Sequence, residues 1–269
     1  MKLGSKLAVV LVAVGCASTI FAEELLKPSE VKDFLKNPAL TAENGTLVAK
    51  GQTTVLSAKA VPVDPSKKYK LSGKFRAKDG SAPTMFYFGY APYDAKNNPI
   101  ISASVCYFPN TDTELAEPAK NGDTVLKVKD ASKWNKPAKS AVVAFNTKAD
   151  FTDLPNNEII ATVPEKIENK NGVWEVTLKT PLRKAYPGGT KIRQQTYSGS
   201  YLYNVVSGSK NSAAWQNFSG IISGEGKSGH QAKQWWPGTK SARILILLNY
   251  GGKDAPSTEF KDIVLETID

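Results

Sequence analysis

The side chains able to do chemistry in this chain are few. One histidine is present, His230, in Ser228-Gly-His-Gln231, and the two cysteines are Cys16 and Cys106. A Ser-His-Asp relay needs its nucleophile on a tight elbow, and no Gly-x-Ser-x-Gly supplies one. The folded part would keep only His230 and Cys106 of these, too few for a His/Cys zinc centre. Acids are plentiful, with 25 Asp and Glu. Glycoside hydrolysis, however, needs two carboxylates at a set separation, and sequence spacing alone cannot pair them. Gly224-Glu-Gly-Lys-Ser-Gly229 matches Gly-x-Gly-x-x-Gly but lacks the strand-to-helix setting of a phosphate loop, so it reads as a glycine-rich turn between strands.

The aromatic residues are the stronger signal. An indole or phenol ring offers an apolar face for the C–H surface of a sugar, while neighbouring amides and charges bond the hydroxyls. Trp215, Trp235, Trp236, Tyr90, Tyr93, Tyr203 and Tyr250 fall at strand ends or loops, where such a platform could form, and core or rim packing is the competing role for each. Cys106, within Ser102–Phe108, reads as a small buried hydrophobe on a strand.

The elements that would position these residues read as strands. Tyr69, Leu71, Gly73 and Phe75 alternate with polar residues, the mark of a half-buried strand. Met85–Tyr93 is an aromatic strand ending in a Tyr-Asp turn, and a further strand is expected from Ile100 to Phe108. Ile244–Leu248 is a short unbroken apolar run after a Pro237-Gly238 turn, and Phe260–Leu265 is a last strand. Between residues 109 and 196 small strands alternate with lysine-rich turns. The expected organisation is therefore a sandwich split into 46–108 and 197–269, with an inserted β subdomain at 109–196. One enlarged sandwich is the alternative. Loop-closure cost grows slowly with length, which makes an insertion of this size tolerable. Residues 23–45 predict a leader with a short helix, since Leu25, Leu26, Val31, Phe34 and Leu35 fall near helical spacing after Pro28-Ser-Glu.

Two stretches in this order resemble a known family. Tyr93-Asp94 through Asn97-Asn98 to Ile100 resembles the central hairpin of galactose-binding-like β-sandwiches, the jelly-roll domains of carbohydrate-binding-module type, with Asn where Gly is usual. The Pro-Gly-Thr turn at 237–239, the Arg243-containing strand and Phe260-Lys-Asp-Ile-Val-Leu265 resemble their closing strands. The resemblance implies an all-β fold of galactose-binding-like jelly-roll type. It also implies a structural calcium held in part by Asp262, and no other cofactor.

Residues 1–22 set the compartment. Lys2 and Lys6 precede the apolar run Leu7–Val14, and small residues precede Glu23, as in a signal peptide cleaved after Ala22. Ala13-Val-Gly-Cys16 resembles a lipobox, so a lipoprotein anchored through Cys16 is the alternative to a secreted or periplasmic protein. Export removes most ATP- or NAD-dependent chemistry from consideration. The net charge of +10 favours acidic partners over basic ones. Together these readings predict an exported non-catalytic protein that binds a polysaccharide or cell-surface glycan, an anionic one being compatible with the charge. Nucleic acid is not expected, and a membrane only if Cys16 carries a lipid. A structural or adhesive envelope protein and a polysaccharide lyase or glycosidase are the alternatives, because fold alone does not decide function.

Overall fold

The computed structural model describes residues 22–134, 141–160, 164–197, 199–253 and 255–269. The expected signal segment, apart from Ala22, and Cys16 lie outside the described residues. The fold is all-β, built of antiparallel sheets. The first stretch of chain forms β1 (Glu23–Leu26), β2 (Leu40–Glu43), β3 (Thr46–Lys50), β4 (Thr53–Leu56), β5 (Val61–Pro62), β6 (Lys68–Ala77) and β7 (Met85–Tyr93). The middle stretch carries a helical turn, α1 (Ser102–Val105), then β8 (Thr113–Glu114), β9 (Val125–Val128), β10 (Ala141–Phe145), β11 (Ile159–Ile160), β12 (Pro164–Lys170), β13 (Val173–Leu178) and β14 (Lys191–Thr196). The chain closes with β15 (Leu202–Lys210), β16 (Gln216–Ser223), β17 (Ser241–Tyr250) and β18 (Ser257–Ile268).

Among the described residues these strands form four sheets. One has six strands in the order β16-β6-β18-β3-β2, with β1 also on β18. A second has five, β15-β7-β17-β4, with β5 also on β17. These two face each other as in a β-sandwich. Strand β6 contributes Tyr69, Leu71 and Phe75 and strand β7 contributes Phe86, Phe88 and Tyr90 to one core, together with Ile244 and Ile246 of β17 and Phe260 of β18. Phe75 lies 4.7 Å from Phe86 and 5.1 Å from Phe88, ring centre to ring centre, so the sheets interlock through aromatic rings. The remaining sheets, β11-β10-β14-β8 and β12-β13-β9, enclose a separate core that includes Leu126, Phe145, Val176 and Ile192.

Two expectations about local structure are corrected here. Residues 23–45 do not form a helical leader. Glu23–Leu26 is a strand paired with the far end of β18, and Leu40–Glu43 pairs with β3. What remains helical is a single 3-10 turn, Val31–Asp33, whose Asp33 carboxylate accepts the Ser29 and Glu30 backbone N–H groups at 2.9 Å. Phe34 then turns into the core against Phe260. The helical spacing of a few leucines is outweighed by the open flank of β18, where extended backbone gains sheet hydrogen bonds.

The stretch Ser102–Phe108 is likewise not a strand. Ser102–Val105 is one helical turn closed by the Cys106 N–H on the Ser102 carbonyl at 2.7 Å. The Ser104 hydroxyl donates to the Ile101 carbonyl at 2.8 Å. Small residues and hydroxyls that bond nearby backbone favour such turns over sheet ladders. Cys106 is buried beneath the turn, and desolvation pushes its thiol up to about 11.

Candidate functional site: a tyrosine face on the five-stranded sheet

The alternation of a strand sends neighbouring residues to opposite faces, and this sorts the aromatic candidates. In β7, Phe86, Phe88 and Tyr90 point inward, while Tyr87 and Tyr93 point out. Tyr90 is fully buried, and burial drives its phenol pKa far above the ordinary range. Trp235 is also fully buried, its ring 4.7 Å from Tyr90 and 5.4 Å from Tyr69, and Trp236 is buried beside it in the same core. Tyr90, Trp235 and Trp236 are therefore core residues with no ring face open to a ligand. The tryptophans close the sandwich beneath the Pro237-Gly238 turn, where Glu225 accepts the Gly238 N–H at 2.7 Å.

Tyr93, Tyr203 and Tyr250 are brought together on the outer face of the five-stranded sheet, with three tyrosines that the sequence did not single out. Tyr87 sits at the centre, 4.8 Å from Tyr203 and 5.3 Å from Tyr250. Tyr203 in turn lies 6.3 Å from Tyr201. The Tyr201 phenol pKa is raised by burial, and next by the neighbouring Tyr93 and Tyr197 phenols. Tyr203 is pushed up to about 12, by desolvation first and then by Tyr201, Tyr87, Tyr250 and Tyr197. Six of the ten tyrosines thus belong to one surface. Tyr250 and Tyr197 are the most open, at 42% and 47% exposure, and the others are half-buried.

Backbone geometry makes this surface. Strand β15 pairs with β7 at Leu202↔Tyr90 and again at Val206↔Phe88, leaving an irregular stretch at 203–205. The bulged backbone lies over Gly89, where a Cβ would overlap the Leu202 carbonyl oxygen and press on the Tyr203 Cα. Gly89 therefore lets β15 fold close enough to lay Tyr203 against Tyr87. On the other flank, β17 contributes Leu247 opposite Tyr87, and Arg243 opposite Ala91. The Arg243 guanidinium lies 5.9 Å from the Tyr93 ring and donates through Nη1 to the carbonyls of Ser57 and Ala58. Lys210 stands at the opposite end, paired with Met85, as is Tyr250.

Trp215 is not part of this surface. It lies over the outer face of the six-stranded sheet, with the Arg76 guanidinium 4.9 Å and the Lys261 ammonium 4.6 Å from its ring centre. Its π-surface is already engaged by cations. Asp262 belongs to the same face. Its carboxylate holds the Lys74 ammonium at 2.8 Å, and that contact, more than any other, keeps its pKa below the ordinary carboxylate range. Among the described residues no group of three or more His, Cys, Asp and Glu side chains could hold a metal ion. Asp262 is thus placed to neutralise a lysine.

His230 is exposed, with Nε2 2.9 Å from the Tyr107 carbonyl oxygen, so this nitrogen carries the proton. Gly229 beside it packs on Val105 and Cys106. The glycine-rich segment is pinned by backbone bonds from Gly226 N to the Trp235 carbonyl and from Trp235 N to the Gly224 carbonyl. Clefts of roughly 300–350 Å³ occur elsewhere, one of them on the middle stretch between Asn157–Ile159 and Thr180–Tyr186 and another beneath β1. Among the described residues no helix is long and apolar enough to cross a membrane.

Comparison with known proteins gives no family assignment: no family model, no curated protein and no solved structure matches this chain.

Proposed function

We propose that this chain is an exported, non-catalytic carbohydrate-binding protein whose tyrosine face stacks against a glycan. The observation that carries the reading is the contiguous run Tyr250, Tyr87, Tyr203, Tyr201, its adjacent ring centres 4.8 to 6.3 Å apart. Half-exposed phenols combine an apolar face for sugar C–H groups with hydroxyls for polar contacts, and ring burial against one another lowers the entropy lost on binding. Isolated apolar side chains on a surface need no explanation, whereas a contiguous set of large ones does. A galactose-binding-like jelly-roll type for the sandwich is part of the same proposal. It rests on the Tyr93-Asp94 turn, closed by a bridge between Tyr93 and Pro99, and on the closing strands β17 and β18, one in each sheet. So are secretion or periplasmic residence and, in the alternative form, anchoring through Cys16.

Glycan-array binding by the purified chain, repeated with Tyr203→Ala and Tyr250→Ala, tests the stacking. Each substitution is expected to weaken binding about tenfold, the loss of roughly one good aromatic contact. Trp215→Ala, on the far face, is expected to leave it unchanged. Binding that survives both tyrosine substitutions, or that follows Trp215, overturns the assignment of the face.

A further inference from the structure

We infer that the glycan taken by the tyrosine face is an acidic one, carrying carboxylate or sulfate groups that meet Arg243 and Lys210 at the two ends of the tyrosine row. The inference rests on the stacking reading and adds the ligand's charge to it. Its first ground is composition by strand. Among the described residues, β4, β5, β7, β15 and β17 contain no Asp or Glu, and their only cations are Arg243 and Lys210. The six strands of the opposite sheet carry Glu23, Glu24, Glu43, Glu259, Asp262 and Glu266. There Lys70, Lys74 and Arg76 each have a carboxylate partner and Lys261 lies over the Trp215 ring, while Lys50 and Lys68 have no ion pair among the described residues.

The second ground is that the two cations of the tyrosine face have spare capacity. Arg243 uses one nitrogen, Nη1, for two carbonyls. A guanidinium has five donors in a planar fork, so an edge remains for a carboxylate or sulfate. Lys210 is exposed and has no ion pair among the described residues. Asp94, the acid next to Tyr93, is already engaged, accepting the Lys96 and Asn98 N–H groups at 2.8 Å and the Asn98 side-chain amide at 3.1 Å. Its carboxylate therefore holds the turn and not the guanidinium next to Tyr93.

The third ground is spacing. Arg243 pairs with Ala91 and Lys210 with Met85, six residues apart along β7, a separation of about 20 Å at strand rise. Tyr87, Tyr203 and Tyr201 lie between these ends. A ligand that covers the rings and reaches both cations is a chain of several sugars with more than one acidic group, and a single acidic monosaccharide cannot do so.

The test measures affinity of the full mature chain for polygalacturonate, for the same polymer after carboxyl reduction, and for dextran sulfate, each at low and high salt. The acidic polymers are expected to bind at least about tenfold more tightly than the reduced one at low salt, with the gap narrowing as salt screens the exposed charges. Preference for polygalacturonate or for dextran sulfate identifies the acidic group, and either supports the inference. Lys210→Gln is expected to weaken acidic binding about fivefold, an effect of the size of one exposed ion pair. Lys210→Glu is expected to weaken it further. The Lys210 side chain has no ion pair among the described residues, so an unchanged melting temperature identifies these losses as binding effects. Equal affinity for the acidic and reduced polymers, insensitive to salt and to Lys210, overturns the acidic assignment and leaves stacking intact. Failure of every polymer to bind overturns both.

Discussion

The two outer faces of the sandwich are built from the same kind of strand and are chemically opposite. On the six-stranded sheet, charges sit across from charges: Lys70 opposite Glu266 at 2.8 Å, and Arg76 opposite Glu259. Lys74 stands opposite Lys261, a like-charge pair that would be unfavourable if left alone. The chain resolves it with an irregularity between Lys261 and Val264 that presents Asp262 to Lys74, and with Trp215, which takes Lys261 onto its ring. Each charge named here finds a partner, Lys261 on the Trp215 ring just before β16 and the others within the sheet. On the five-stranded sheet the corresponding positions hold tyrosines, aliphatic residues and two cations without carboxylate partners. An outer face is free of core constraints, so its composition reports what it meets. One face is compensated for water. The other has aromatic surface and positive charge left over.

The largest effect is expected where the tyrosine face depends on backbone contact. In Gly89→Ala the new methyl meets the backbone of Leu202, Tyr203 and Asn204, which cannot move without undoing the bulge. In Gly73→Ala, on the other sheet, it meets the flexible tip of Ile263 and the Phe75 and Phe88 rings. Gly89→Ala should cost about 2–3 kcal/mol and abolish glycan binding, and Gly73→Ala about 1 kcal/mol with binding retained. Denaturant unfolding checks both. Equal costs would mean that the two sheets tolerate crowding alike and that the bulge is not what holds Tyr203.

That dependence on register explains what could and could not be read from the chain alone. Alternation at Tyr69–Phe75 and the apolar run Ile244–Leu248 mark β6 and β17 directly, because burial imposes the pattern. The faces of the aromatics needed one further step. Tyr90 and Tyr93 are three residues apart in one strand, so period two forbids them a common face, and Tyr87 is the residue that shares the outward side with Tyr93. The spacing of two between Tyr201 and Tyr203 carries the same signal. Trp235 and Trp236 gave no such clue, since a turn segment has no period. The pairing of β1 with β18 was also invisible, because a strand's open flank is a property of the folded sheet and not of residues 23–26.

The charged face should answer next. Glu259 is 7% exposed and meets the Arg76 side chain, which is itself partly open. Glu259→Gln leaves that guanidinium without its counter-charge, at a cost of about 1–2 kcal/mol, below the cost for a fully buried pair because water reaches Arg76. Glycan affinity should not change. A parallel loss of binding would show that the two faces are coupled through the core.

The faces should also fail at opposite ends of the pH scale. The Tyr203 phenol, pushed up to about 12, binds its proton more tightly folded than unfolded. Its contribution is fully present below about pH 10 and erodes as pH rises toward 12, by on the order of 1 kcal/mol after screening of a half-exposed ring. Asp262 is held below the ordinary range, so its contribution is present at neutral pH and disappears as pH falls through its lowered pKa. Tyrosinate absorbance followed during alkaline titration should show a late-ionising class that Tyr203→Phe reduces. If all the tyrosines ionise together near pH 10, the face is more open than its packing indicates.

The smallest effect decides what Asp262 is for. Its backbone has φ near +52°, a conformation that Asn adopts readily and Ala does not. Asp262→Asn keeps the bend and removes only the exposed ion pair with Lys74, so a loss of a few tenths of a kcal/mol is expected, vanishing at high salt. Asp262→Ala adds backbone strain and should cost about 1 kcal/mol more, independent of salt. Neither loss should depend on calcium, and a chelator should leave the wild-type melting temperature where it is. A chelator-sensitive wild type beside an insensitive Asp262→Asn variant would give this residue a metal role. It would also change the meaning of its face, since the acid that balances Lys74 would then be shared with a cation from solution.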